Sequence, residues 1–177
     1  MKVRRIVTGQ DARGMAVFVS DELVDPITLS QFPGIEFHRL WGADATPALP
    51  TSGAPMPQPR YFPPAGGFRF IVFTLPPEST ARPANIDAAS ALQELTEKLP
   101  GMAEVMEPDH PGMHTTDTVD FGVLLSGEIW LELDAGAEVH LKAGDTVVQN
   151  GTRHAWHNRG DEPAVVVGEI IGAIRRG

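Results

Sequence analysis

Short runs of apolar or alternating residues recur along the chain, each closed by glycine, proline or a polar turn. VRRIVT (3–8) and GMAVFVS (14–20) flank GQDARG, a turn-forming stretch, which predicts a hairpin. GIEFHRLWG (34–42) alternates with a period of two, and GGFRFIVFTLPP (66–77) is an apolar run stopped by a proline pair; both predict strands. Between Thr46 and Pro64 seven prolines interrupt any pattern, so this stretch is expected as an extended arm wrapping the surface or a second subunit. One window has helical spacing. In DAASALQELTEKL (87–99), Leu92, Leu95 and Leu99 form a stripe, Asp87 is placed to cap and Pro100-Gly101 to stop, which predicts one helix with a core-facing stripe.

The last third is denser. Phe121–Ser126, Glu128–Asp134, Glu138–Leu141, Thr146–Asn150, His154–Asn158 and Ala164–Ile171 read as six strands separated by SG, DAGA, KAGD, NGTR and NRGDEP. Such spacing predicts a meander or Greek-key barrel. Eighteen glycines and 16 prolines in 177 residues fit an all-β chain with many turns. The length suits one domain, with residues 1–100 supplying strands, arm and helix packed on a barrel core at 101–177.

Composition narrows the partners. Fourteen Lys and Arg against 23 Asp and Glu give a formal net charge of −9, which repels phosphate backbones and anionic lipid; no nucleic-acid or membrane partner is expected. The first residues lack the apolar core of a signal peptide, no run reaches transmembrane length, and cytoplasmic residence is the expectation. Without cysteine, any metal must be held by His, carboxylate or water. A homodimer is expected, because the N-terminal strands and arm leave edges and apolar surface uncovered.

The stretch HTTDTVDFGVLLSGEIWLELDAGAEVHLKAGDTVVQNGTRHAWHN (114–158), a quarter of the chain, resembles the two motifs of the cupin superfamily, small double-stranded β-helix barrels. The second motif is present as Gly144-Asp145, Gly151, His154 and Asn158, one residue short and with Gln149 in place of the proline; the end of the first is Leu125-Ser126-Gly127-Glu128. The resemblance implies an all-β cupin or jelly-roll-like barrel with an N-terminal strand extension and one short helix. It also implies a metal site. The family's Glu position falls on Asp120 and its His-x-His pair on His114 and Thr116, or one residue earlier, on Met113 and Thr115, so one histidine is missing. The ligand set implied is His114, Asp120 and His154, two histidines and one carboxylate, for a divalent ion such as Fe, Mn, Ni or Zn.

If 114–120 is extended, His114, Thr116, Thr118 and Asp120 share a face and Asp117 points away; His154, Trp156 and Asn158 likewise share one. Thr116 and Trp156 thus become candidate substrate contacts. A general base would come from Asp120, Glu36 or a metal-bound hydroxide. Arg69 is the remaining substrate candidate: on an inward face it would be a buried cation for a substrate carboxylate, although exposure to solvent is expected. His140 and His157 have outward parity. His110 is a loop-borne candidate fourth ligand, since Pro111 and Gly112 forbid a helix joining it to His114. Three functions compete: a metal-dependent enzyme on a small organic molecule, either a dioxygenase or an isomerase, dehydratase, cyclase or decarboxylase; a non-catalytic ligand-binding barrel that has lost its metal; and an interaction protein with a filled barrel.

Overall fold

A computed structural model describes residues 1–176. The expected hairpin is β1 (Val3–Gln10) and β2 (Ala16–Val24), paired antiparallel as a separate two-stranded sheet. A six-stranded sheet follows the order β3-β4-β5-β11-β6-β9, from β3 (Ile27–Thr28), β4 (Glu36–Ala43), β5 (Phe68–Leu75), β6 (Thr118–Ser126), β9 (Thr146–Gln149) and β11 (Ala164–Gly172). A three-stranded sheet, β10-β7-β8, combines β7 (Glu128–Glu132), β8 (Glu138–Lys142) and β10 (Ala155–His157). Together they form the all-β double-stranded β-helix. Because β4 and β5 hydrogen-bond into the same sheet as β11, β6 and β9, the N-terminal portion builds part of the barrel wall itself.

Register fixes what faces inward. One row runs Phe37, Phe73, Val166, Leu124; the next runs Arg39, Ile71, Gly168, Gly122, Val147; a third runs Gly42, Arg69, Ile170, Asp120, Gln149. The opposing sheet contributes Ile129, Leu131, Leu141 and Trp156. Two apolar clusters result, one around Leu29, Tyr61, Ile71, Leu99 and Ile170, the other around Leu124, Ile129, Ala164 and Val166. At the turn from β6 to β7 only glycine fits: Gly127 has φ +73°, and a Cβ there would lie 2.7 Å from the Pro163 carbonyl oxygen.

The helix forms as α1 (Ala88–Lys98), with Asp87 accepting from the Ala89 N–H at 3.2 Å. Two expectations need correction. Leu99 is 0% exposed and Leu95 packs against the first cluster, but Leu92 is 55% exposed, because the helix meets that cluster only through its C-terminal end. A second helix, α2 (Met102–Val105), also follows at once, started by Gly101 at φ +92°.

The proline-rich arm has no strand of its own and is tied down by hydrogen bonds that it both accepts and donates. The Gln10 N–H bonds the Thr51 carbonyl at 3.0 Å, and Tyr61 N–H bonds the Pro100 carbonyl at 2.8 Å. Arg39 donates to the carbonyls of Gln58 and Arg60, the latter at 2.8 Å.

Candidate active site in the barrel

Between the sheets lies a cavity of about 240 Å3. His114, Asp120, His154 and Trp156 all line it, together with Gln149 and an apolar wall that includes Phe37, Phe62 and Phe73. His114 and His154 are brought together by an isolated antiparallel bridge, N–H to carbonyl at 2.9 and 3.0 Å in the two directions. Their ring centroids are 4.1 Å apart, and Trp156 meets His154 edge to face at 5.9 Å.

Each histidine is oriented by a backbone carbonyl two residues earlier. Nδ1 of His114 lies 2.9 Å from the Gly112 oxygen, and Nδ1 of His154 lies 2.9 Å from the Thr152 oxygen. A carbonyl only accepts, so Nδ1 carries the hydrogen in both rings and Nε2 keeps its lone pair. Burial holds both rings neutral, lowering His114 and lowering His154 to about 4, the latter with help from its neighbour His114. Asp120 is pushed up to about 6 by burial, and its Oδ1 is buried without a hydrogen-bond partner. Two bare imidazole nitrogens and one unpaired carboxylate oxygen in one cavity are the donor chemistry that a divalent ion takes. The donor types suit such a group, while their donor atoms do not all lie within 4.8 Å of one another.

Residue by residue, the other candidates fall elsewhere. Glu36 is turned to the opposite face of β4 and pairs with the amino group of Met1, because residues 35, 37 and 39 are the inward positions; it cannot act as a base in the cavity. Thr116 is buried against Thr118, hydroxyl to hydroxyl at 2.8 Å, and does not line the cavity; the chain becomes a strand only at Thr118, so the extended alternation from His114 is broken. Asp117 points away and pairs with Arg175, and His110 is exposed outside the cavity.

Arg69 overturns the expectation of exposure. It is 0% exposed on the inward row, yet its guanidinium serves the arm and not the cavity: it pairs with Asp44 and donates to the carbonyls of Ala43 and Phe68, both at 2.9 Å, and of Arg60 at 3.1 Å. No donor is left for a substrate carboxylate. Of the outward histidines, His140 stacks on Trp130 at 4.1 Å, and His157 is held between Glu78 and Glu132, each at 2.8 Å. Among the described residues, the three-residue group whose donor atoms lie within 4.8 Å of one another is Glu132, Glu138 and His157, on the outer side of the small sheet. There the His157 nitrogens already bond carboxylates and Glu138 bonds Arg159.

Sequence reasoning missed Tyr61 and Phe62 from the arm and Met102 and Met106 beyond α1, all lining the cavity. The only signal was that the chain's single tyrosine sits inside a proline-rich stretch.

The family model for the cupin domain matches residues 102–168. Residues 102–168 are thus similar to a cupin domain. This chain is 48% identical over 65 residues to the Oryzines biosynthesis cluster protein J of Aspergillus oryzae, a match covering 34% of this chain and 36% of that one. It is 39% identical over 46 residues to the cupin-domain-containing oxidoreductase virC of Hypocrea virens, covering 26% and 24%. Both matches therefore span well under half of the relative's length. Among solved structures, the Cnp3 cupin domain of Schizosaccharomyces pombe is similar over 97% of this chain and 89% of its own, with TM-score 0.48 and 11% identity.

Proposed function

We propose that this cupin is a metal-dependent enzyme acting on a small organic molecule inside the barrel, with His114, His154 and Asp120 as the metal ligands. The observation that carries the reading is the pair of imidazoles whose Nδ1 atoms are both committed to backbone carbonyls, leaving two Nε2 lone pairs in the cavity that also holds the unpaired oxygen of Asp120. A divalent ion bound there supplies Lewis acidity, or with iron the activation of O2. The protein's own part is to keep both imidazoles neutral, to present a carboxylate that loses its proton near pH 6, and to exclude water with Phe73 and Trp156. The oxidoreductase description of the virC relative favours redox chemistry over isomerisation.

One observation favours a second reading, a metal-free ligand pocket: the donor atoms of His114, Asp120 and His154 do not all lie within 4.8 Å. Elemental analysis separates the two. Wild type supplied with Fe(II), Mn(II), Ni(II) or Zn(II) should hold a stoichiometric ion; His114→Ala and His154→Ala should lose it, and His140→Ala and His157→Ala should keep it. A wild type that takes up none of the four metals overturns the enzyme reading in favour of the pocket.

A further inference from the structure

The two arginines that face the barrel interior, Arg39 and Arg69, both turn their guanidinium groups onto the arm. Arg39 grips the carbonyls of Gln58 and Arg60, and Arg69 grips Arg60, Ala43 and Asp44. By fixing residue 60 they set Tyr61 and Phe62 into the cavity wall. They also leave the cavity without a cationic side chain: among the described residues no Lys or Arg lines it, its two histidines are neutral, and Asp120 is the acid buried in it, Asp145 and Glu169 being exposed. An anionic ligand would enter an apolar space beside the Asp120 carboxyl with no cationic side chain to pair with, a costly arrangement. A neutral ring system, in contrast, meets Phe37, Phe62, Phe73 and Trp156, surfaces suited to aromatic packing. The volume of about 240 Å3 equals the share of roughly eight liquid waters at ~30 Å3 each, the scale of one or two fused rings.

We infer that the cavity, in the absence of any bound ion, binds an uncharged, largely apolar ring compound with its polar end toward His114, His154 and Asp120, and that its side chains discriminate against carboxylates and phosphates. This rests on the cavity being the binding site proposed above, though not on its holding a metal.

The test uses two probes that differ only in replacing a methyl ketone by a carboxylate, 2-acetylnaphthalene and 2-naphthoate. Affinity is measured by calorimetry and saturation-transfer NMR at pH 7.5, on chelator-treated protein and again on metal-loaded protein. In the chelator-treated protein the ketone should bind at least tenfold tighter. Equal or tighter binding of the naphthoate there overturns the inference, as does failure of the ketone to bind at all. Because this arm contains no metal, its outcome is independent of elemental analysis. Gly122→Leu places a side chain on the inner face, where a Cβ meets the Val166 side chain at 3.4 Å, and Val147→Phe fills the same row; each that melts cooperatively should weaken ketone binding more than tenfold. Unchanged binding in a folded filled variant places the ligand elsewhere and refutes the inference.

Discussion

Replacing Asp120 by Asn in the metal-free protein should change the pH dependence of stability in a way that identifies the buried carboxyl. Burial raises Asp120 from 3.8 to about 6, so between those values the folded state binds a proton that the unfolded chain has released. Its contribution is therefore least unfavourable below pH 4 and worsens as pH rises, until above pH 6 the folded state carries a desolvated, half-unpaired carboxylate. At 1.36 kcal/mol per unit, the full difference is up to about 3 kcal/mol. His154 works the other way. Lowered from 6.5 to about 4, it costs stability as pH falls across that interval, because the unfolded chain takes up the proton first; the magnitude is again about 3 kcal/mol. Across pH 4 to 6 the two nearly cancel in the wild type. In Asp120→Asn only the histidine contribution remains, so the variant should be more stable than wild type by up to about 3 kcal/mol at pH 7 and should lose that advantage by pH 4. Urea unfolding at pH 7, 6, 5 and 4, with chelator present throughout, measures it. A stability difference that does not vary with pH, or one that favours wild type at pH 7, would refute the buried, unpaired state of Asp120.

Three further outcomes follow from packing. Arg69→Met removes the donors for three carbonyls and the partner of Asp44; it should cost about 3 kcal/mol in chemical denaturation and make residues 46–60 more sensitive to limited proteolysis, and a variant as stable and resistant as wild type would contradict the arm-clamping role. Leu99→Ala should cost about 2–5 kcal/mol whereas Leu92→Ala stays within about 0.5, and thermal melts reversing that order would remove Leu99 from the core. A homodimer is proposed through the outer face of the β1–β2 hairpin, where Phe18 is 80% exposed beside exposed Ile6 and Leu23. Light scattering should show a dimer for wild type and a monomer for Phe18→Ser; a wild type of 19.1 kDa refutes it.

The barrel strands were legible because each carried two independent signals, an alternating or apolar run and a turn that could not continue it. EIWLELD (128–134) shows the limit of such reading: Ile129 and Leu131 are buried as the alternation requires, yet Leu133 is exposed because β7 ends at Glu132. Parity also separated His154 from His157. It failed at Thr116, since alternation applies only inside a strand and β6 begins two residues later. Arg69 was misread for a different reason. Composition makes an arginine exposed by default, and the acceptors brought to it from elsewhere are the carbonyls of Ala43 and Arg60 and the carboxylate of Asp44, whose approach to β5 no local pattern encodes. Tyr61 was invisible for the same reason.

The cost assigned to Asp120 bears on what the site is for. A carboxyl serving only the fold would be expected to find donors for both oxygens, as Asp87 does at the start of α1 with the Ala89 N–H and the Ser90 hydroxyl. Asp120 instead keeps one oxygen unpaired opposite Gln149, whose amide is spent on Thr152. The same loop carbonyl of Thr152 also fixes the His154 ring. Thr152 thus restrains two neighbours, leaving the histidine's second nitrogen bare and the glutamine unable to donate to Asp120. Such an arrangement lowers the stability of the metal-free protein, and a cation, if held by His114, His154 and Asp120, would reverse the sign of that contribution. Stability lost at Asp120 in the chelated protein and regained on metal addition would therefore be one quantity measured in two states. Asp120→Asn should abolish the metal-dependent gain while keeping the gain in the absence of metal.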